Sequence, residues 1–418
     1  MATEVMAPTT APSRASLRAS TRITSMDFVR GIVMLLMAID HVRVYSGQPA
    51  GGPTAGIFFT RWITHFVAPG FVFFAGTAAY LHGKKMGNRA ALSRFLFTRG
   101  LWLIFLELTV LRVAWTFNFD FAHYLLAGVI WMIGWCMVLM AALVWAPLWV
   151  NAGFGIAIIC LHNISDYYIP QVQLHYAHID PNPLLKILYL GGVVEIGHGG
   201  PLLFVLFVIV PWIGVMMAGY AFGAVMEMSP ERRRRICFTL GAVATLAFIG
   251  LRSWDGYGDP RHWRPTPGAQ ATNAGAVRRP AMAAPLRFLN TVKYPASLDF
   301  LSMTLGPLFL LLAAAEHFRG PVSDVVVTYG RVPMFYYLLH IPLIHFAACI
   351  VSLIREGHVN AWLFANHPMA PGPVPAGYTW PLGLLYLVYA LCVISLYFPC
   401  RWYADLRARR KSPWLSYL

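Results

Sequence analysis

Apolar segments of about 20 residues recur along the chain, and short polar segments separate them. Each such segment is long enough to cross a bilayer as a helix, where its apolar side chains can face lipid. Of the 418 residues, 58% are hydrophobic and only 12% are charged, whereas a soluble domain has roughly 25% charged residues. The pattern predicts an all-α fold, a polytopic integral membrane helix bundle with about ten transmembrane helices.

The predicted spans divide the chain into one transmembrane domain and two polar tails. A basic tail, residues 1–24, precedes the domain at 25–400, and a second basic tail covers 401–418. The first tail has no apolar core of the kind that a cleaved signal peptide needs, so none is expected. The spans are predicted at residues 27–46, 57–82, 96–116, 123–145, 147–163, 200–225, 236–252, 300–316, 333–354 and 381–399.

Clusters of lysine and arginine set the predicted orientation, because these residues are enriched in cytoplasmic loops. With about ten spans, four basic clusters fall on one side, which places both termini in the cytoplasm. The loop at about 253–299 would lie outside although it carries six basic residues, since long loops obey the rule weakly. Its Gly, Pro and Ala content predicts an irregular loop. The clusters are Arg14, Arg18 and Arg22; Lys84 to Arg99; Arg232 to Arg235; and Arg401 to Lys411.

Charge and cysteine usage exclude several classes of protein. The net charge of +15 comes from arginines between apolar runs, which suit anchors beside anionic lipid better than a nucleic-acid-binding domain. The six cysteines form no C-x-x-C pair, so we predict neither a disulfide framework nor a metal site. The chain also lacks a Walker loop, a dinucleotide fingerprint, an H-E-x-x-H motif and a nucleophile elbow.

Ionisable residues inside a span are costly and therefore indicate function. In the first span, Arg30 and His41 are eleven residues apart, so they share one helical stripe about 16 Å long. Asp40 is expected to point in a different direction from His41, because sequence neighbours do not face each other on a helix. Thr24 and Asp27 fit a capping box, which explains Asp27 without a function. A histidine that only packs in the bundle is the alternative for His41.

The second span carries Arg61 and His65, which are four residues apart and share a helix face. Pro69-Gly70 follows, and this pair predicts a kink or a break inside the membrane. A broken helix exposes backbone groups, which is tolerated where they line a cavity. An ordinary proline kink beside an interfacial His65 is the alternative.

Two further spans contain candidate residues. Tyr336 and His340 share a face of the ninth predicted span, whereas His345 points roughly 140° away, so at least one of the two histidines is expected only to pack. Glu107 is alone in the third predicted span, and we interpret it as a salt-bridge partner for a neighbouring helix.

At these residues the chain resembles a bacterial member of the heparan-alpha-glucosaminide N-acetyltransferase catalytic-domain family, which belongs with the polysaccharide O-acetyltransferases among transmembrane acyltransferases. His41 resembles the first-span histidine of the polysaccharide O-acetyltransferases. His65 lies four residues before Pro69 and lacks the His-x-x-Trp-Asn-Gly surroundings of the lysosomal enzyme's histidine. The matching stretches are Ser25–Gly31 with Asp40–Arg43, Arg61–Gly76, Lys293–Ser297 with Leu305–Pro307, Gly330–His345, Arg401–Trp402 and Trp414–Leu418.

The resemblance implies that acetyl-CoA is taken from the cytoplasm and that its acetyl group passes to a sugar or glycan across the membrane. It implies no metal and a location in the bacterial inner membrane. A homo-oligomer is possible under the resemblance but is not implied by it. Histidine suits the base in such a transfer at neutral pH, and a cationic mouth of Arg30, Arg99, Arg319 and Arg331 would suit the CoA phosphates. The candidate catalytic residues are His41, His65 and Asp40; the candidate binding residues are Arg30, Arg61, Arg331, His340 and Tyr336.

Other functions stay open at the level of sequence. A membrane transporter of a small sugar-like or anionic solute is the alternative, because intramembrane His, Arg and Asp residues also build substrate relays. A scaffolding membrane protein would leave the stripe of Arg30 and His41 without an explanation. Dependence on acyl-CoA separates the acyltransferase from the transporter.

Overall fold

The computed structural model describes residues 23–52, 54–168, 182–264, 282–365, 367–369, 373–410 and 415. Residues 1–22 of the first predicted tail, 411–414 and 416–418 of the second, and 265–281 of the long loop lie outside the described residues. The described chain is mostly helical. The helices are α1 Thr24–Ser46, α2 Ala55–Trp62, α3 Val67–Met86, α4 Arg89–Leu106, α5 Arg112–Thr116, α6 Val129–Leu143, α7 Leu148–Leu161, α8 Val210–Met226, α9 Pro230–Trp254, α10 Ala284–Leu289, α11 Leu298–Ala315, α12 Pro321–Arg331, α13 Pro333–Glu356 and α14 Leu382–Arg409, with one further turn at Pro183–Leu185.

Long apolar helices make the protein an integral membrane protein. Each predicted span overlaps at least one helix of this set. Six helical stretches of the described residues are long and apolar enough to cross a bilayer. Helices α6 and α8 are apolar but shorter, and α1 is long but carries four charged residues. The six stretches are Ala55–Met86, Leu148–Tyr167, Pro230–Trp254, Leu298–Ala315, Pro333–Glu356 and Leu382–Arg409.

A small β-sheet shows that the prediction of an all-α fold is wrong in one region. Strand β3 lies between β1, to which it is parallel, and β2, to which it is antiparallel. Two predicted spans therefore begin as strands or irregular chain, and their helices start only at Val129 and Val210. Short apolar runs do not distinguish a strand from a buried helix, and the pairing joins segments far apart in sequence. The strands are β1 Leu125–Ala127, β2 Gly192–Glu195 and β3 Leu202–Val205.

Helix α1 occupies the centre of the bundle, where it packs against α3, α11, α12, α13 and α14. Its closest approach is to α12. A Cβ atom on Gly31 would collide with the Val326 carbonyl oxygen, and one on Gly330 would collide with the Asp27 carbonyl oxygen. The two backbones therefore touch at this crossing, as small residues permit between membrane helices. The central position of α1 places its polar side chains inside the protein.

One local prediction for the first span is wrong, and the helix interruption predicted for the second span lies before Pro69-Gly70 rather than at it. Helix α1 begins at Thr24 with Ile23 at its N-cap, so Thr24 is not the capping residue that the predicted capping box requires. Asp27 lies 3.9 Å from an Arg30 nitrogen. The chain does not break at Pro69-Gly70, because α3 runs through this pair. The irregular turn lies just before it, as a 3-10 segment at Ile63–Phe66. Proline has no N–H for the carbonyl four residues earlier, so the preceding turn is the one that tightens.

The described parts of the long loop are ordered around Arg252, at the end of α9. This buried guanidinium donates hydrogen bonds to the carbonyl oxygens of Phe288, at 3.0 Å, and Arg261, at 2.8 Å. It also lies 3.6 Å from the carboxylate of Asp259. Burial raises the pKa of the Asp259 carboxyl, and the positive charge of Arg252 opposes that shift. The anchored loop carries Lys293 towards the interior of the bundle.

Candidate active site

Three cavities follow one another along α1 and the segments packed on it. The basic cavity, of about 360 Å³, lies beside the first half of α1 and includes Arg30. The central cavity, of about 120 Å³, lies beside the second half and includes His41. The loop cavity, of about 340 Å³, lies beyond it, between α2 and the long loop, and includes His65. Ligand pockets are usually about 300 to 1,000 Å³, so the central cavity has room only for a reacting group.

Shared wall residues connect these cavities. Tyr337, near the start of α13, lines both the basic and the central cavity. Arg61, Lys293 and Tyr294 line both the central and the loop cavity. A substrate in either of the larger cavities could therefore present a group to the central cavity by passing one layer of side chains.

His41 forms a hydrogen bond with a second histidine from the other end of the chain. Its Nδ1 atom lies 2.6 Å from Nε2 of His340, and the planes of the two rings are inclined to each other by only 22°. The Nδ1 atom of His340 lies 2.7 Å from the carbonyl oxygen of Tyr337. A carbonyl oxygen only accepts, so Nδ1 of His340 carries the hydrogen and its Nε2 accepts when the ring is neutral. His41 must then donate from Nδ1, which leaves its own Nε2 with a free lone pair.

This arrangement suits a general base. His340 is fully buried and does not line the central cavity, whereas His41 does. An imidazole held through one nitrogen presents the other in a defined tautomer, which is the role that the buried acid has in a catalytic triad. Nε2 of His41 can take a proton from an amine or a hydroxyl that reaches the central cavity.

Asp40 also lines the central cavity, although the helical wheel placed it in a different direction from His41. Its carboxylate lies 2.8 Å from Nε of Arg43, one turn along α1. The cavity wraps around this end of the helix, so neighbouring residues reach it from two sides. Asp40 therefore pairs with Arg43, whereas the hydrogen-bond partner of His41 Nδ1 is His340.

Positive charge exceeds negative charge around the central and loop cavities. None of the described Asp or Glu side chains forms an ion pair with Arg61 or Lys293. The ammonium group of Lys293 lies over the rings of Tyr294 and Phe207, at 5.3 and 5.6 Å from their centroids. Sequence reasoning did not select Lys293 as a site residue, and its only signal was the Lys-Tyr-Pro stretch within the resemblance.

His65 lies in the loop cavity rather than the central one. It is buried, its ring packs edge-on against Phe300 at 5.3 Å, and its Nδ1 atom has no hydrogen-bond partner among the described residues. Arg61 lines the same cavity, so the two residues do face a common space as their spacing predicted. The structure thus separates the two candidate histidines into different cavities.

Glu107 also lines the central cavity, and its interpretation as a salt-bridge partner is wrong. It is fully buried, and no lysine or arginine of the described residues pairs with it. Its Oε2 atom accepts hydrogen bonds from the backbone N–H groups of Ile130, at 2.8 Å, and Trp131, at 3.2 Å. These groups belong to the first turn of α6, where backbone donors lack helical partners and attract an anion.

The basic cavity contains most of the arginines expected at a cationic mouth. Arg30, Arg99 and Arg331 line it together with Arg407, but Arg319 lines a separate cavity. Tyr336 lines none of the three cavities, and its ring stacks on His340 at 5.3 Å with its face nearly parallel. Four guanidinium groups around one opening suit a ligand with phosphate groups.

Long apolar helices around a hydrogen-bonded histidine pair, with a cationic cavity on one side of it, define an integral membrane protein with internal cavities. Residues 22–257 match the model of the family described as heparan-alpha-glucosaminide N-acetyltransferase, catalytic. The match covers more than half of the chain, so the protein belongs to this family of membrane acyltransferases. The predicted resemblance is confirmed. A comparison with curated proteins found no match.

Proposed function

We propose that the protein is a membrane acyltransferase that moves an acetyl or other acyl group from cytoplasmic acyl-CoA to a glycan or small sugar on the extracytoplasmic side. The observation that carries the proposal is the hydrogen bond from His41 to His340, which leaves a basic nitrogen facing a small cavity between two larger ones. Membership of an acyltransferase family supports the same conclusion.

The donor would bind in the basic cavity. The guanidinium groups of Arg30, Arg99, Arg331 and Arg407 would hold the phosphates of CoA, and its acylated arm would extend along α1 past Tyr337. The distance along α1 from Arg30 to His41 is about 16 Å. Arg99 and Arg407, which belong to two of the predicted basic clusters, line this cavity, and this supports a cytoplasmic opening. The proposal keeps about ten spans and cytoplasmic termini, which put these clusters in the cytoplasm. In a bacterial cell this bilayer would be the inner membrane.

The acceptor would enter from the loop cavity. His41 Nε2 would take the proton of the acceptor's amine or hydroxyl as that atom bonds to the carbonyl carbon of the thioester. The carbon–sulfur bond then breaks, and His41 returns the proton to the leaving thiolate. Arg61 and Lys293 lie beside this position and form no ion pair with a carboxylate of the described residues, so they would stabilise the negative charge that develops on the carbonyl oxygen.

Release of free CoA from acetyl-CoA tests the proposal. Purified protein should release CoA when a sugar acceptor is present, and His41→Ala should lower the rate by about 10² to 10⁴-fold while it still binds acetyl-CoA. His123→Ala is the matched control, because His123 is an exposed histidine outside the three cavities. Full activity of a folded His41→Ala variant would contradict the role of His41.

A transporter of a small sugar-like or anionic solute is the second candidate. The observation that favours it is the alignment of three cavities along α1, each with surplus positive charge. Proteoliposomes without acyl-CoA separate the two functions. Uptake of a labelled sugar by these proteoliposomes, together with no release of CoA by the purified protein, would support the transporter.

A further inference from the structure

Glu107 lines the central cavity, and one of its carboxylate oxygens has no hydrogen-bond partner in the described part of the chain. The residue is fully buried, and Oε2 caps α6 as described above. Its Oε1 atom has no hydrogen-bond partner among the described residues. A buried carboxylate oxygen that lacks a partner is costly, and such groups in native structures need an explanation. The hydrogen bonds to α6 explain the burial of Oε2 and leave the burial of Oε1 without an explanation.

The local backbone places this oxygen beside Gly128, at the wall of the central cavity. Glu107 opens a π-helical turn, Glu107–Leu111, between α4 and α5. Such turns are rare and recur at functional sites, because they shift the register of the side chains that follow. Gly128 lies opposite, and a Cβ atom there would come within 2.7 Å of Oε1. The missing side chain at residue 128 therefore preserves space next to the oxygen, in the cavity that both residues line.

We propose that Oε1 of Glu107 binds an N–H or O–H group of the acceptor and holds it in the central cavity with His41. This inference rests on the proposed function and names a further contact for its acceptor. The chemistry fits, because Glu107 offers a hydrogen-bond acceptor, as does Nε2 of His41. A sugar amine can donate one hydrogen to each atom, and a sugar with neighbouring hydroxyls can donate one hydrogen from each hydroxyl. Glu107 would touch the substrate, whereas His340 acts only through His41.

The substitution Glu107→Gln separates this role from the structural one. The amide oxygen of glutamine can still accept from the N–H groups of Ile130 and Trp131, so the cap on α6 is retained. The amide nitrogen then takes the place of Oε1 and turns an acceptor into a donor. A role limited to capping predicts no change, whereas a binding role predicts a loss of affinity.

Binding of glucosamine and glucose in the absence of acetyl-CoA provides the test, because it does not depend on transfer. Glucosamine carries an amine where glucose carries a hydroxyl. Comparison of the two affinities therefore shows which of the two groups is bound. We expect Glu107→Gln to bind the preferred probe on the order of tenfold to hundredfold more weakly than the wild-type protein. Glu316→Gln is the matched control, since Glu316 pairs with Arg233 outside the three cavities and should not affect binding of either sugar.

Two results would overturn the inference: equal affinity of Glu107→Gln and the wild-type protein, or no binding of either probe to the wild-type protein. Release of CoA is measured on the same preparations. Sugar binding that needs Glu107, without any release of CoA, would refute the acyltransferase and retain Glu107 as a contact for a sugar-like solute. Release of CoA with unchanged sugar binding in Glu107→Gln would refute the inference alone.

Discussion

The Nδ1 atom of His41 on α1 lies 2.6 Å from the Nε2 atom of His340 on α13, and 299 residues separate the two in sequence. The contact joins the part of the chain that matches the family model to a part beyond that match, since the match ends at residue 257. The tautomer of the candidate base therefore depends on a helix that is remote in the chain. We therefore propose that His340 is a positioning residue for His41.

His340→Phe should lower the rate of acyl transfer without weakening the binding of acetyl-CoA. Phenylalanine fills the space but cannot accept a hydrogen bond from His41, so the correct tautomer is no longer enforced. Loss of the orienting group in a comparable triad costs on the order of 10⁴-fold. His340→Gln can still accept from Nδ1 of His41 and should recover part of the rate. Steady-state kinetics across pH measure both, and equal rates for the two variants would refute the positioning role.

His65→Ala should raise the KM for the acceptor while leaving acetyl-CoA binding unchanged. His65 lines the loop cavity, where the acceptor is proposed to enter, and its Nδ1 atom has no partner among the described residues. Competition binding with acetyl-CoA and kinetics with varied acceptor separate the two effects. Complete loss of transfer with normal acceptor binding would instead exchange the roles of His65 and His41.

Arg331→Ala should weaken the binding of acetyl-CoA by about tenfold, because it removes one charge-assisted contact from the basic cavity. Arg319→Ala is the control, since Arg319 lines a separate cavity. A ligand at a hundredfold excess over its Kd stabilises the folded state by about 2.7 kcal/mol, so thermal shifts can report the binding. Absence of any shift for the wild-type protein at saturating acetyl-CoA would favour the transporter.

Reporter fusions should place the basic clusters at Lys84 to Arg99 and at Arg232 to Arg235 in the cytoplasm. Fusions after Asn88 and after Arg235 are expected to be cytoplasmic, because lysine and arginine accumulate on that side. A fusion at Gly268, which lies outside the described residues, is expected to be extracytoplasmic. A cytoplasmic signal at Gly268 would show that the number of spans before it is wrong.

Acid should destabilise the protein partly through His367, which lies between α13 and α14. Burial, together with the charge of Arg112, lowers the pKa of His367 to about 4. The folded state then disfavours the proton that the unfolded chain accepts at about pH 6.5. Stability is full above that pH and falls as the pH drops towards 4. His367→Phe keeps the stacking on Tyr124 but cannot titrate, so its unfolding temperature should fall less between pH 7 and 5. An identical slope would contradict this.

The sequence by itself determined the membrane class and the long helices. A span is defined locally, by a run of apolar residues whose backbone groups must bond within the same helix. The same local reasoning selected Arg30, His41, Arg61 and His65, because a charged or titratable group inside such a run is costly wherever it lies. These residues line the cavities that the structure contains.

Only the tertiary structure decided which groups meet. The pairing of β1 with β3, the contact of His41 with His340 and the insertion of Lys293 beside the central cavity join residues that are distant in the chain. Glu107 shows the limit most clearly: its sequence context suggested a salt bridge, whereas the fold placed it against the first turn of α6. Helical periodicity specifies the direction of a side chain on its own helix. The partner in that direction depends on packing between helices, which no local pattern encodes.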